Sequence, residues 1–293
     1  MGSKSERDWH LLLFRKSLLK QAKWKSIMAM LPPMQGRTGL DIGSDNGVLS
    51  LFLREQGGEW QSADSGPRAV AAISRLLGED VADVSSGELP YSNEAFDCVV
   101  IIDMLEHLED DAGFIKECHR VLKPSGKLIV NVPHLKRFSF VRLLRRVLGL
   151  SDAEHGHLRP GYTRYQLFHV LKDGFDVETS STYSRVLVET LDTCIRFAVK
   201  VAGGADGDGE KGMIMDEESF AKMGKLFRIY SLLYPLFWIA SKLDYLLFFT
   251  SGHYLIARAR RRLWIPRRTP VLKDGRSIAD AALNTKIGSA NPF

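Results

Sequence analysis

A chain of 293 residues, 45% hydrophobic and 26% charged, can bury one sizeable core with an appendage and is too apolar to be a disordered protein. Its net charge of +5 implies attraction to anionic surfaces without choosing among them. Cys98, Cys118 and Cys194 are odd in number, lack a C-x-x-C pairing and fall in segments expected to be buried, which argues against a disulfide framework or a metal site and for a reducing compartment.

The run Leu11-Leu12-Leu13-Phe14 is too short for a secretory signal and Arg15 and Lys16 follow at once, so a cytoplasmic protein is expected. No stretch of about eighteen uncharged apolar residues predicts a simple membrane span. Residues 8–31 place Trp9, Leu12, Leu13, Leu19 and Trp24 on a helical period beside several lysines, and Pro32-Pro33 ends that helix.

The segment Thr38-Gly39-Leu40-Asp41-Ile42-Gly43-Ser44-Asp45-Asn46-Gly47 reads as a strand tip followed by a tight turn, and Val48 to Arg54 carry helical spacing. Glycines at 43 and 47 allow positive φ and let a ligand lie against bare backbone. The pattern is not the G-x-G-x-x-G of a dinucleotide loop, and Asp41 and Asp45 would repel phosphate. A ligand with positive charge near the turn fits better, such as the amino group and sulfonium of S-adenosylmethionine.

These residues resemble the first motif of the class I S-adenosylmethionine-dependent methyltransferases, Asp-x-Gly-x-Gly-x-Gly, with Asp45 standing where that family has its middle glycine. The later segments fall in the family's order. Glu59 to Ala63 lead to Asp64, a carboxylate placed to accept both hydroxyls of a ribose. Val81-Ala82-Asp83-Val84 is a third strand, and in the loop that follows Ser85 or Ser86, by this resemblance Ser86, takes the place of the family's adenine-binding Asp. The apolar strand Ala95 to Ile102 ends in Asp103-Met104-Leu105-Glu106-His107-Leu108, and Leu122-Lys123-Pro124-Ser125-Gly126 turns a helix into a fifth strand. The resemblance covers roughly residues 36–183. It implies a Rossmann-like α/β fold, doubly wound, with a mostly parallel sheet and an antiparallel last strand. It also implies S-adenosyl-L-methionine as cofactor, held by Asp41, Gly43, Ser44, Gly47, Asp64, Ser86 and Asp103. The helix of residues 8–31 either packs on the core or covers the active site, as N-terminal helices often do in that family.

Methyl transfer from a sulfonium requires near-attack geometry and, for a hydroxyl acceptor, removal of a proton. His107 and Asp103 are the candidate catalytic residues, His107 being either a base or a residue that positions the cofactor loop. By resemblance His134, His155, His157 and Tyr162 border the acceptor, and His155-x-His157 lacks the further ligands a metal needs.

Residues 1–35 form an N-terminal helical segment. The methyltransferase domain comprises residues 36–183 with a closing strand within 251–262. Between them residues 184–250 are an apolar helical insertion, with a flexible loop at 203–215, kinked at Pro235 and interrupted by Lys242 and Asp244. Residues 263–293 are a basic and then polar tail. Bases and large apolar residues separate onto two sides of 136–148, as on a helix lying in a membrane interface or on one packed against a core. Together with 227–268 this segment makes an anionic membrane surface a candidate partner. The acceptor is expected to be small or lipid-linked and the protein cytoplasmic, peripheral to the inner face of a membrane; nucleic acid is not favoured. A cofactor-binding scaffold without catalysis, or another nucleotide-cofactor enzyme on a similar sheet, are the competing readings.

Overall fold

The computed structural model describes residues 4–136, 139–150, 158–201, 224–247 and 250–265. At its centre is a seven-stranded sheet in the order β3-β2-β1-β4-β5-β7-β6. The strands are β1 (Thr38–Ile42), β2 (Glu59–Asp64), β3 (Ala82–Asp83), β4 (Phe96–Ile102), β5 (Leu122–Pro133), β6 (Phe175–Tyr183) and β7 (Tyr254–Arg261). β1 to β5 run parallel, and β7 is antiparallel to both of its neighbours. This is the doubly wound arrangement expected from the sequence.

The apolar β4 shows why the sheet is covered on both faces. Val99 and Ile101 pack with Phe114, Ile115 and Cys118 of α5 (Asp111–Val121) and Leu167 and Leu171 of α7 (Arg164–Leu171). Their alternates Cys98, Val100 and Ile102 pack with Ile27 and Met30 of α2 (Leu18–Met30) and Leu49 and Leu53 of α3 (Val48–Glu55). A period of two with both faces buried is what a central parallel strand requires. α4 (Pro67–Leu77) opens on a proline, whose missing N–H costs nothing there, and closes on Gly78 at φ 71°.

The N-terminal helix expected over 8–31 is two helices, α1 (Lys4–Lys16) and α2. Ser17 leaves helical geometry at φ −94°, ψ 106°, and its hydroxyl accepts from the Lys20 amide at 3.2 Å. A serine cap satisfies an amide that a helix start leaves open, and the apolar period running across the break hides it from pattern reading. The strand preceding the glycine turn also runs one residue past Asp41, to Ile42.

α8 (Val186–Val201) and α9 (Gly224–Leu243) lie between β6 and β7. They are joined end to start. Asp244, in a single 3-10 turn after α9, accepts from the amides of Leu187 at 2.8 Å and of Arg185 and Val188 at 3.2 Å, so it caps the first turn of α8. The charge expected to interrupt an apolar run is thus a buried cap, and helical structure continues through Pro235. α9 is fastened to the N-terminal helices by Gln21, which donates to the Tyr234 hydroxyl at 2.9 Å, and by the Tyr230 hydroxyl, which donates to the Lys16 carbonyl. Cys98 and Cys118 are buried as expected; Cys194 is exposed on α8. Among the described residues no helix is long and apolar enough to cross a membrane, and no group of three or more His, Cys, Asp or Glu side chains is placed to hold a metal.

Candidate cofactor and acceptor site

The strand order reverses between β1 and β4, and in open α/β sheets the crevice outside the carboxyl ends of such strands is where ligands bind. The glycine turn lies there. Gly43, Asp45 and Gly47 have φ of 91°, 57° and 76°, so every second residue is left-handed. Asp45 adopts the conformation a glycine would supply, and Asp is among the few side chains that tolerate it. The substitution therefore preserves the path of the loop. A Cβ on Gly47 would lie 3.2 Å from the Ile73 Cα, close enough that Ile73 would have to shift, and φ 76° strains any side chain there.

Asp64 ends β2 and is buried; it accepts from the Asp45 amide at 3.0 Å and the Ser65 amide at 2.8 Å. Asp83 stands beside it as its register partner on β3. Its carboxylate is exposed, and bonds from the Ser85 hydroxyl and amide hold its pKa below the usual carboxylate range. The Ser85 hydroxyl in turn accepts from the Gly66 amide at 3.0 Å. Ser86 accepts from the Glu88 amide within its own turn, at 3.3 Å, whereas Ser85 bonds Asp83 and the Gly66 amide, so it is Ser85 that faces the strand tips. Asp83 is not among the site residues expected from the sequence, where the third strand runs from Val81 to Val84; in the structure the strand ends at Asp83, which puts its carboxylate at the tip.

Asp41 and Ser44 turn away from the crevice. Asp41 is fully buried on the α3 side, where it accepts from the Ser50 hydroxyl and, at 2.7 Å, from the Ser62 hydroxyl, with Arg54 at 3.5 Å. The Ser44 hydroxyl lies 2.6 Å from that of Ser50 and donates to it, since the Ser50 proton is committed to Asp41. Burial pushes the Asp41 pKa up to about 6. Direct contact of these two side chains with a cofactor, expected from the motif, gives way to a network that braces the turn from below.

A second set of polar side chains gathers at the tips of β4 to β7. Asp103 follows β4 at φ 44°, a conformation rare outside glycine, and its amide donates to the Asn131 carbonyl at 2.9 Å. One carboxylate oxygen accepts from the Asn131 side chain at 2.7 Å, and the other is paired with the ammonium of Lys23, reaching down from α2. The Tyr183 hydroxyl donates to Asn131 at 2.7 Å; its ring stacks on Tyr254 at 5.4 Å, and the Lys23 ammonium sits 5.4 Å from the Tyr254 ring. Burial disfavours charge on Lys23, but Asp103 more than restores it, so the Lys23 pKa lies above the ordinary lysine value. Nothing in the sequence pairs residues 23 and 103, which only the fold brings together.

The other candidate residues are scattered. His107 closes the 3-10 turn Leu105–His107 beside Asp103, partly exposed. His134 donates through Nδ1 to the Gly252 carbonyl at 2.9 Å, which puts its lone pair on Nε2, and burial lowers its pKa. Tyr162, expected at the acceptor, is a core residue: its hydroxyl donates to Asp111 at 2.7 Å and approaches the Leu105 carbonyl at 3.1 Å. His155 and His157 lie outside the described residues.

Comparison with known proteins adds the decisive observation: the family described as "Methyltransferase domain" matches residues 40–130, from β1 into β5. The chain carries a class I S-adenosylmethionine-dependent methyltransferase domain. Over 104 residues it is 32% identical to a ubiquinone biosynthesis O-methyltransferase of Pseudomonas paraeruginosa, a match covering 33% of this chain and 45% of that protein. Over 141 residues it is 30% identical to a demethylmenaquinone methyltransferase of Tropheryma whipplei, covering 45% of this chain and 59% of that one. The chain thus spans about half the length of the curated relatives it matches.

Two solved structures share the fold. The [4+2]-cyclase SpnF superposes at a TM-score of 0.53 with 21% identity, over 81% of this chain and 78% of that one. A SAM-dependent methyltransferase from Thermotoga maritima gives 0.51 with 15% identity, over 88% and 96%. The cofactor of this methyltransferase domain is S-adenosylmethionine. The residues present fit it: an open-backbone turn is tied to acidic strand tips, which favours a ligand carrying cationic charge and ribose hydroxyls.

Proposed function

We propose that the protein transfers a methyl group from S-adenosylmethionine to a small, ring-bearing, lipid-like acceptor. The observation that carries this reading is the left-handed turn at 43–47 bound by its Asp45 amide to Asp64. In this reading the turn holds the methionine part of the cofactor, Asp64 the ribose hydroxyls and Asp83 with Ser85 the adenine. When bound, S-adenosylmethionine supplies an activated methyl on a sulfonium, so the chain's own residues have to hold, orient and deprotonate. The acceptor class rests on the relatives, one named for ubiquinone biosynthesis and one for demethylmenaquinone. Incubation with S-adenosylmethionine labelled in the methyl group and a membrane lipid extract should move label into the lipid fraction. Cofactor binding without transfer would leave the non-catalytic scaffold as the better reading.

The enzyme's place of work, in the same proposal, is the cytoplasmic surface of an anionic membrane. α6 (Phe140–Val147) exposes Phe140 at 65% and Val147 at 75%, with Arg142 and Arg146 on the same short helix. α9 exposes Leu232 at 80% along with Leu236, Trp238 and Ile239, and Lys242 stands 4.5 Å from the Trp238 ring. Exposed apolar residues flanked by bases suit a headgroup layer. Sedimentation with phosphatidylglycerol vesicles should carry the protein down, and Leu236→Asp with Trp238→Glu should release it. A protein that stays in the supernatant at low salt contradicts this part of the proposal.

A further inference from the structure

The part-buried polar cluster at the tips of β4 to β7 lies at the carboxyl ends of the strands, where the crevice opens, and it contains a cation, Lys23, paired with Asp103. We propose that Lys23 is a catalytic residue for the acceptor: its ammonium, steered by Asp103, holds the oxygen of an aromatic hydroxyl as an oxyanion. This deepens the methyl-transfer reading and rests on it.

Four observations point the same way. Burying an ion pair is expensive, and well-packed apolar side chains would dock α2 at least as well, so the pair calls for a reason other than stability. Asp103 is held at φ 44°, a left-handed conformation that, with the bond from its amide to the Asn131 carbonyl, fixes the place of its carboxylate. Neither partner is sealed, the side chains of Lys23 and Asp103 being 13% and 19% exposed, so a ligand in the crevice can touch both. The stacked Tyr183 and Tyr254 rings beside the ammonium offer a flat wall to a planar acceptor.

The charges around Lys23 keep it a cation. Asp103 at the end of β4, Asp45 in the glycine turn and Glu106 in the 3-10 turn all favour its protonated form, against Lys20 from its own helix and against burial. Lys23 is therefore no base at neutral pH. Its effect is to lower the pKa of a hydroxyl placed against it. The acceptor O–H bond breaks, its proton passes to Asp103, whose other oxygen Asn131 holds, and the negative oxygen remains on the ammonium. Asp103 then returns the proton to solvent.

The test needs no cofactor. 4-Nitrocatechol shows a visible band only when ionised, and its ionisation can be titrated with and without the protein. With wild type the band should appear about one to three pH units lower than in buffer. Lys23→Met should abolish that shift, and Lys23→Arg should retain part of it. The proposal also requires the Lys23→Met variant to bind S-adenosylmethionine in calorimetry, and its pH profile for kcat to move to higher pH with kcat falling more than KM rises. A shift of equal size in Lys23→Met, or none with wild type, overturns the assignment. If wild type binds no S-adenosylmethionine, it is the methyl-transfer reading that fails, and the nitrophenolate titration still reports on Lys23 separately.

Discussion

The Asp45 amide donates to Oδ2 of Asp64 at 3.0 Å, so the glycine turn after β1 and the acidic tip of β2 form one unit. Asp64 has two tasks in this account, bracing the turn and meeting the ribose. Asp64→Ala should weaken S-adenosylmethionine binding about 10- to 150-fold, the equivalent of roughly 1.5–3 kcal/mol for hydrogen bonds to a charged group. Asp64→Asn, which keeps an acceptor for the Asp45 amide, should lose less. Equal losses for both variants in a calorimetric titration would show that the brace contributes nothing.

The left-handed turn makes opposite predictions for neighbouring positions. Asp45 at φ 57° has open access to glycine's conformation, so Asp45→Gly should leave the melting temperature unchanged or raised. Gly47 at φ 76° strains any side chain, and an added Cβ would crowd the Ile73 backbone, so Gly47→Val should cost about 1–3 kcal/mol or more. Thermal melts of the two variants check this, and a stable Gly47→Val variant would refute the conformation assigned to the loop.

Asp41 predicts a pH dependence of stability. A free aspartate titrates near 3.8, whereas burial keeps Asp41 protonated up to about 6. Between those values the folded chain holds a proton that the unfolded chain has released, so stability should fall as pH rises from about 4 to 6 and stay lower above. The full effect is at most roughly 3 kcal/mol. Asp41→Asn should flatten the slope of urea midpoints across this window, and an unaltered slope would contradict the assignment.

Asp244 caps α8 from across the insertion. Asp244→Ala should destabilise the α8–α9 unit by about 1–2 kcal/mol, seen as faster proteolysis of the insertion. S-adenosylmethionine affinity should hold, because the glycine turn and Asp64 are untouched; a parallel loss of affinity would mean that the insertion helps build the cofactor site.

Much of the sheet was legible because central strands carry a strong signal: Phe96 to Ile102 could hardly be read otherwise, and the glycines at 43 and 47 announce a turn. The direction of side chains was harder to read. Leu40 and Ile42 face the α5 side of the sheet, so strand alternation sends Asp41 to the α3 side, away from the crevice, a consequence of period two that the motif alone does not convey. Tyr162 was misplaced because a tyrosine near a site and a tyrosine whose hydroxyl satisfies a buried Asp111 look alike in sequence. The Lys23 pairing lies beyond local patterns altogether, since it joins residues 80 apart through the docking of a helix.

Calorimetric titration of S-adenosylmethionine into wild type and Gly43→Trp tests the central claim most directly. The account predicts saturable binding of one cofactor per chain to wild type and its loss in Gly43→Trp with the circular dichroism spectrum unchanged. Absence of binding to wild type, or undiminished binding to Gly43→Trp, would contradict it.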